Sequence, residues 1–354
     1  MSTTNPVYVI TGGAGFIGAN LVARLQKNEP QARLYIVDDF STGSYANIVE
    51  ACERIGAGPF RGTIMPDSMT ELNWQPAIMG LAPKAFFHLA AITDTLVTDE
   101  QRMISVNTEP FIDILDACIE SSIPLVYASS AATYGTPPQA KLQTPFPIDA
   151  AGSPSNVYGF SKWLMDVETS RALDSSMIES GEKPHVVGLR YFNVFGPGEA
   201  RKGKMASMIH HLTHQMLSGK NPQIFEHGQH ERDQIHVDDV VSCTLASAQT
   251  TVNPGIYNLG SGTTTSFNQM VESINHALGT TLDTEYIPMP DAMVDSYQHY
   301  TCADMSITKS GLGWSPKLVP SEAIKQYAAS IAAQINTDSS HQIASHPQQA
   351  SVHS

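Results

Sequence analysis

The sequence predicts an α/β protein: a doubly wound parallel sheet mostly within residues 1–196, then a smaller mixed α/β domain mostly within 197–336. Three observations predict it. Short, continuously apolar runs alternate with amphipathic helical patterns through the first half, as a parallel sheet covered on both faces requires. A glycine-rich turn joins the first such run to the first helical pattern. After Pro197 the rhythm changes to helical patterns mixed with short strands, jointed by Pro288, Pro290, Pro316 and Pro320.

Taken in order, Val7–Ile10 is the first strand, and the helix after it carries Ile17, Leu21, Val22 and Leu25 on its apolar face. Leu34–Val37 and Ala85–Ala90 are the next strands. One helical stretch with Ile104, Phe111, Ile112, Leu115 and Ile119 leads into the strand Leu125–Ala128, and Val186–Leu189 adds another. In the second domain, helices are expected around Met205–Leu217, Val240–Ala248 and Phe267–Leu278, with strands at Ile256–Leu259 and Glu285–Ile287. Residues 337–354 are Ser, Gln, His and Ala with almost no large apolar side chain, and a disordered tail is expected there.

Charge and composition remove several function classes. Of 354 residues, 34 are acidic and 20 basic, a net charge of -14, which is the wrong sign for a nucleic-acid binder or a polybasic membrane protein. No run of eighteen apolar residues occurs, so no membrane partner is expected. The start of the chain carries no basic, apolar leader, and Cys52, Cys118, Cys243 and Cys302 are scattered like reduced thiols. A cytoplasmic protein is expected.

Gly12, Gly15 and Gly18 stand at three-residue spacing between the first strand and the first helix, with Phe16 and Ile17 among them. Gly12 permits a tight turn, Gly15 lets the backbone approach a pyrophosphate, and Gly18 lets the helix pack closely. The helix N-terminus supplies unpaired N–H groups. Twenty residues past Gly18, the second strand ends in Asp38-Asp39. A carboxylate there accepts from ribose hydroxyls, and two acids repel a 2′-phosphate. The cofactor expected is therefore NAD or NADP, with NAD favoured.

Tyr158 and Lys162 lie four apart, on one face of a helix. A tyrosine pKa near 10 makes a poor base, but a nearby ammonium is expected to pull it down. The phenol then takes a hydroxyl proton while hydride leaves the same carbon. Ser129-Ser130, at the carboxyl end of the Leu125–Ala128 strand, offers a hydroxyl to the reacting oxygen.

Thr11-Gly-Gly-Ala-Gly-Phe-Ile-Gly18, Tyr127-Ala-Ser-Ser-Ala-Ala-Thr-Tyr-Gly135, Tyr158 with Lys162, and Arg190-Tyr-Phe-Asn-Val-Phe-Gly-Pro197 together resemble the extended short-chain dehydrogenase/reductase family. The resemblance runs from residue 6 to about residue 330 and implies a Rossmann-type fold. It implies catalytic roles for Tyr158, Lys162 and Ser130. It also implies cofactor contacts from Leu89, Ala90 and Ala91, from Asn107, and from Val194, with Asn193 beside the substrate.

Within that family, Gly196-Pro-Gly-Glu-Ala-Arg-Lys-Gly-Lys-Met-Ala-Ser207 resembles the ADP-glycero-manno-heptose 6-epimerase branch through Lys-Gly-x-Met-Ala-Ser. The resemblance implies that Lys202 is a second acid/base opposite Tyr158; Lys204, which the branch does not have, offers a rival to it in the substrate pocket. Asn221-Pro-Gln-Ile-Phe-Glu226, Arg232-Asp233 and Tyr297-Gln298 extend the likeness. By it, His211, Phe225, Glu226, Arg232 and Tyr297 line a nucleotide-sugar pocket. It further implies a retained cofactor, a homo-oligomer, and a place in making the inner core of bacterial lipopolysaccharide. Gly198, Ala200, Arg201 and Lys204 depart from the branch, which has arginine, glycine, histidine and serine there. Asp39 stands where it has asparagine.

Two other readings stay open. A UDP-hexose 4-epimerase can reuse one tyrosine by swinging the keto-sugar, whereas inversion at C6″ suits two proton-transfer groups. A dehydratase is disfavoured because Ala131-Ala132-Thr133 lacks an Asp-Glu pair. A non-catalytic NAD sensor has no need of Ser130, Tyr158 and Lys162 together. His211 and His214 have helical spacing but no third ligand at recognisable spacing, so no metal site is expected.

Overall fold

The computed structural model describes residues 5–181, 183–290 and 298–344. Its centre is a seven-stranded sheet in the order β11 (Gly255–Leu259), β6 (Val186–Tyr191), β5 (Leu125–Ser130), β4 (Ala85–His88), β1 (Val7–Thr11), β2 (Arg33–Val37) and β3 (Thr63–Met65), parallel throughout. The chain enters through β1 (Val7–Thr11), α1 (Phe16–Asn28), β2 (Arg33–Val37), α2 (Tyr45–Ile55), β3 (Thr63–Met65) and α3 (Trp74–Leu81). It returns to the middle with β4 (Ala85–His88), α4 (Glu100–Asn107), α5 (Glu109–Glu120) and β5 (Leu125–Ser130). A short α6 (Pro138–Leu142), the long α7 (Val157–Ser180) and β6 (Val186–Tyr191) follow. The strand order reverses between β1 and β4, so a crevice opens there at the carboxyl edge.

Side-chain alternation along β1 explains the two-sided sheet. Ile10 joins a core with Leu21 and Val22 of α1, Ile48 of α2 and Val187 of β6. Its neighbour Val9 points to the opposite core, with Ile78 of α3, Phe111 and Ile114 of α5, and Met165 of α7. Phe111 is fully buried, and truncating such a side chain to alanine costs roughly 3–5 kcal/mol.

The second lobe contains β7 (Asn193–Phe195), α8 (Met208–Leu217), β8 (Gln223–Phe225), β9 (Glu231–Arg232) and β10 (Gln234–His236). After them come α9 (Val237–Ser247), β11 (Gly255–Leu259), β12 (Thr265–Ser266), α10 (Phe267–Leu278), β13 (Glu285–Ile287) and β14 (Tyr300–Thr301), then helices Ser306–Leu312 and Pro320–Ala344. Its own core joins Ile209 and Leu212 of α8 to Met270 and Ile274 of α10 and to Ile324 and Tyr327. Two of these elements cross back. Strand β11 pairs with β6 at the edge of the main sheet, and α9 sends Val240 and Val241 into the Ile10 core.

Three local expectations are corrected, and one strand went unread. Strand β4 stops at His88 because the Leu89 and Ala90 N–H groups turn to donate to the Thr11 hydroxyl (3.2 and 3.3 Å). The single helix expected over 104–119 is two, divided at Thr108 just before Pro110, whose ring occupies the first turn of α5. Strand β3, only three residues, had no readable pattern. The last helix runs to Ala344, so residues 337–344 are helical rather than part of a disordered tail. Among the described residues no helix is long and apolar enough to cross a membrane.

Candidate active site

A cavity of about 710 Å³ opens where β1, β2, β4, β5 and β6 end. Its floor is the glycine turn. Gly12 has φ +68°, and a Cβ there would lie 2.7 Å from the Ala90 backbone nitrogen. A Cβ on Gly18 would lie 2.0 Å from the Gly12 carbonyl oxygen, so this residue packs the helix start onto the turn. Gly15, Phe16 and Ile17 also face the cavity.

Asp38 and Asp39 also line the cavity. The Asp38 carboxylate is buried and accepts from the Ala14 N–H (2.8 Å) and the Phe40 N–H (3.0 Å). Burial raises its pKa, and these backbone donors work against the rise. A carboxylate has lone pairs left after two such bonds. Nearby cations are engaged elsewhere: Arg201 holds Glu50 (2.6 Å) and Asn47 (2.7 Å), and Arg54 faces Asp238 (3.4 Å).

Ser130, Tyr158, Lys162 and Val194 line the cavity beyond the glycine turn, and Lys202 lines it beside Phe16. Helix α7 begins with Asn156, whose side chain accepts from the Gly159 N–H (2.8 Å), so Tyr158 sits in a capped first turn. One turn on, Lys162 is 2% exposed. The Ser130 hydroxyl accepts from the Ala132 N–H (3.1 Å) and lines the same cavity as the Tyr158 phenol, whose pKa it lowers. The expected pull of Lys162 on Tyr158 is not what this geometry gives. Burial raises the phenol's pKa above its ordinary value, and the Ser130 hydroxyl is the group that opposes it. Lys162 is itself pushed down to about 8 by burial, with Asp166 opposing.

The two loop lysines separate clearly. Lys202 lies partly buried with its Nζ 5.6 Å from the Phe16 ring centroid, and burial lowers its pKa while Glu199 counters. Lys204 is 71% exposed at the side chain and pairs with Asp94 across the cavity rim (3.5 Å).

The family model for the NAD dependent epimerase/dehydratase family matches residues 8–260. The chain belongs to that family. It is 34% identical over 322 residues to the ADP-L-glycero-D-manno-heptose-6-epimerase of Brachyspira hyodysenteriae, covering 90% of this chain and 96% of that protein. It also resembles the crystal structure of the Helicobacter pylori ADP-L-glycero-D-manno-heptose-6-epimerase, with TM-score 0.78 and 30% identity, covering 93% of this chain and 97% of that one. A UDP-glucose 4-epimerase of Thermotoga maritima, solved with UDP-glucose, matches with TM-score 0.77 and 25% identity over 93% and 99% of the two chains.

NAD, the cofactor of this epimerase/dehydratase family, fits what the cavity offers. Gly12 and Gly18 keep the turn tight against its own backbone, and a Cβ on the cavity-lining Gly15 would meet only the Gly12 carbonyl (3.2 Å), so its other side is open to a pyrophosphate; Asp38, Asp39, Ser130 and Tyr158 line the same cavity. Leu89, Ala90 and Ala91 line it as well.

Several residues anticipated for the site do not line this cavity. Asn107 is fully buried; its amide bridges the Ile92 N–H (2.8 Å) and carbonyl (3.0 Å) and donates to Ser161 (3.0 Å). It therefore positions the loop after β4 and does not itself face the cavity. Asn193, His211, Phe225, Glu226 and Arg232 hang on the second lobe, outside the cavity lining. Asn193 donates to Thr301 (3.2 Å), which pairs with Arg232 in the β9–β14 ladder. His211 lies beside His210 on α8 (5.8 Å between rings), Phe225 ends β8, and Glu226 pairs with His230 (3.1 Å). Tyr297 lies outside the described residues. Sequence reading missed Asn47, Asp67, Ser68, Asp94 and Arg102, which do line the cavity. Asp67 and Ser68 follow β3, and a strand that escaped notice hid the loop after it.

Proposed function

We propose that the protein is a nucleotide-sugar epimerase that interconverts ADP-D-glycero- and ADP-L-glycero-D-manno-heptose. The observation that carries this reading is Lys202, a partly buried lysine of lowered pKa facing the same cavity as Tyr158. Inversion at C6″ moves the sugar oxygen between two orientations, and each needs its own proton-transfer group.

NAD, bound along the glycine turn, supplies reversible hydride acceptance at the reacting carbon. The chain's own residues handle the proton. Tyr158 keeps its phenolic proton at neutral pH because burial raises its pKa, so its Oη is set to donate to the sugar oxygen in one orientation. Lys202 gives up its proton more easily than an ordinary lysine, and its Nζ accepts from the hydroxyl in the other. In the reverse direction the two exchange tasks. Ser130, beside the phenol in the cavity lining, opposes the rise in its pKa and orients the sugar oxygen. His88 is lowered to about 3 by its burial and, secondarily, by the charge of Lys162, so the buried Lys162 rather than this imidazole keeps positive charge beneath the site.

The sequence similarity to two heptose epimerases supports the choice of sugar, and Asp38-Asp39 with Arg201 held by Glu50 supports NAD over NADP. Lys202→Met tests the reading. Heptose inversion followed by NMR should fall by about 10²–10⁴-fold, the range for removing a general acid/base, with the fold unchanged by circular dichroism. Full activity in that variant would return the protein to a one-tyrosine scheme of the 4-epimerase kind.

A further inference from the structure

We propose that Glu226, His230 and His299 form a binding site for a divalent transition-metal ion of the zinc class. One ligand atom from each lies within 4.8 Å of the other two. The backbone sets two of them side by side. Strand β14 pairs with β9 in parallel, Tyr300 opposite Glu231, and the Glu231 N–H donates to the His299 carbonyl (3.0 Å). The residues just before that pair, His230 and His299, are therefore neighbours across the ladder. Their rings are 4.6 Å apart at 64°.

Glu226 arrives from a different element. The Gly228 N–H donates to the Phe225 carbonyl (3.0 Å), closing a turn in which Glu226 has φ +53°. The Glu226 N–H donates to the Ile287 carbonyl (2.8 Å), which anchors the turn to β13. This left-handed backbone, uncommon for a glutamate, carries the carboxylate to 3.1 Å from His230 Nε2.

Two imidazoles and one carboxylate are a zinc donor set that leaves a fourth position open. Ligand atoms about 2.0–2.1 Å from a tetrahedral ion stand roughly 3.3 Å from one another. The Glu226–His230 pair is already at that spacing, and the exposed His299 closes the remainder by side-chain rotation. His230 is buried, 8% exposed, and so supplies a fixed ligand. Arg232, on the same side of β9 as His230, donates to the Glu231 carbonyl (3.0 Å). Its charge opposes a bare cation and favours an anion in the open position.

The test uses the full chain, stripped with a chelator and titrated with zinc chloride against a chromophoric competitor, beside Glu226→Gln and His299→Ala. Both substitutions are at exposed positions, and circular dichroism checks their fold. His214→Ala, in the separate histidine cluster on α8, serves as the control. Wild type and His214→Ala should bind one equivalent more than either site variant, or bind it at least about tenfold more tightly. Cobalt in place of zinc should give the visible absorption of a four-coordinate ion, lost in His299→Ala. Equal zinc stoichiometry and affinity in wild type and both site variants would overturn the proposal, as would no zinc binding in any of them.

Discussion

Lys202 and Lys204 are two residues apart with the same charge, and their surroundings give them different work. Lys202 faces Phe16 inside the cavity, whereas Lys204 meets Asp94 in solvent at the rim. Exposed pairs of the second kind contribute about 0–1 kcal/mol, so Lys204→Met should change turnover less than about tenfold while Lys202→Met removes most of it. The pH dependence follows from direction. Because burial lowers the Lys202 pKa, its neutral form grows as pH rises and is reached below the ordinary lysine value of 10.5. A rising limb in the rate should therefore lie below pH 10.5 in wild type and vanish in Lys202→Met. A limb unchanged by the substitution would assign it to another group. Much of this was legible: the four-residue step from Tyr158 to Lys162 names the pair without any structure. The electrostatics were not, because burial raises the phenol's pKa and Ser130, not Lys162, is what opposes it, and burial is a property of the fold.

At the scale of elements, the glycine turn and the head of α7 both border the site. Gly18→Ala places a Cβ 2.0 Å from the Gly12 carbonyl, which displaces either the turn or the helix start. The purified variant should retain much less bound dinucleotide, read by absorbance after denaturation. Asn156→Ala removes the cap of α7 and should cost about 0.5–2 kcal/mol in urea unfolding. It should lower kcat as well, since Tyr158 sits in the uncapped turn. A stability loss with kcat untouched would separate the cap from the chemistry. Strands such as β1 and β5 were readable because four or more apolar residues in a row have few other uses. Strand β3 and the break between α4 and α5 were not: one is too short to show a period, and the other turns on a single threonine and proline.

Over the whole molecule, the two lobes are interleaved. Strand β11 and helix α9 leave the second lobe to complete the first sheet and its cover. Local pattern gives their existence but not their partners, since a parallel crossover pairs strands far apart in sequence. The buried Arg190–Asp166 pair (2.8 Å), with Arg190 also donating to the Ile148 carbonyl (2.6 Å), ties β6 to α7. Asp166→Ala leaves a buried guanidinium unpaired and should destabilise the protein by about 3–5 kcal/mol, measured by urea unfolding. The Tyr158-bearing helix is thus braced from below, the glycine turn sits on the same sheet, and Lys202 lines the same cavity as both. In the proposed function this assembly inverts a nucleotide sugar by two-sided proton transfer around a retained cofactor. The most direct test of that reading is NMR of the purified protein with ADP-D-glycero-β-D-manno-heptose and no added dinucleotide, run beside UDP-glucose. Conversion of the heptose to a mixture of C6″ epimers is the predicted result. Inversion of UDP-glucose with the heptose untouched would rule out the heptose epimerase reading.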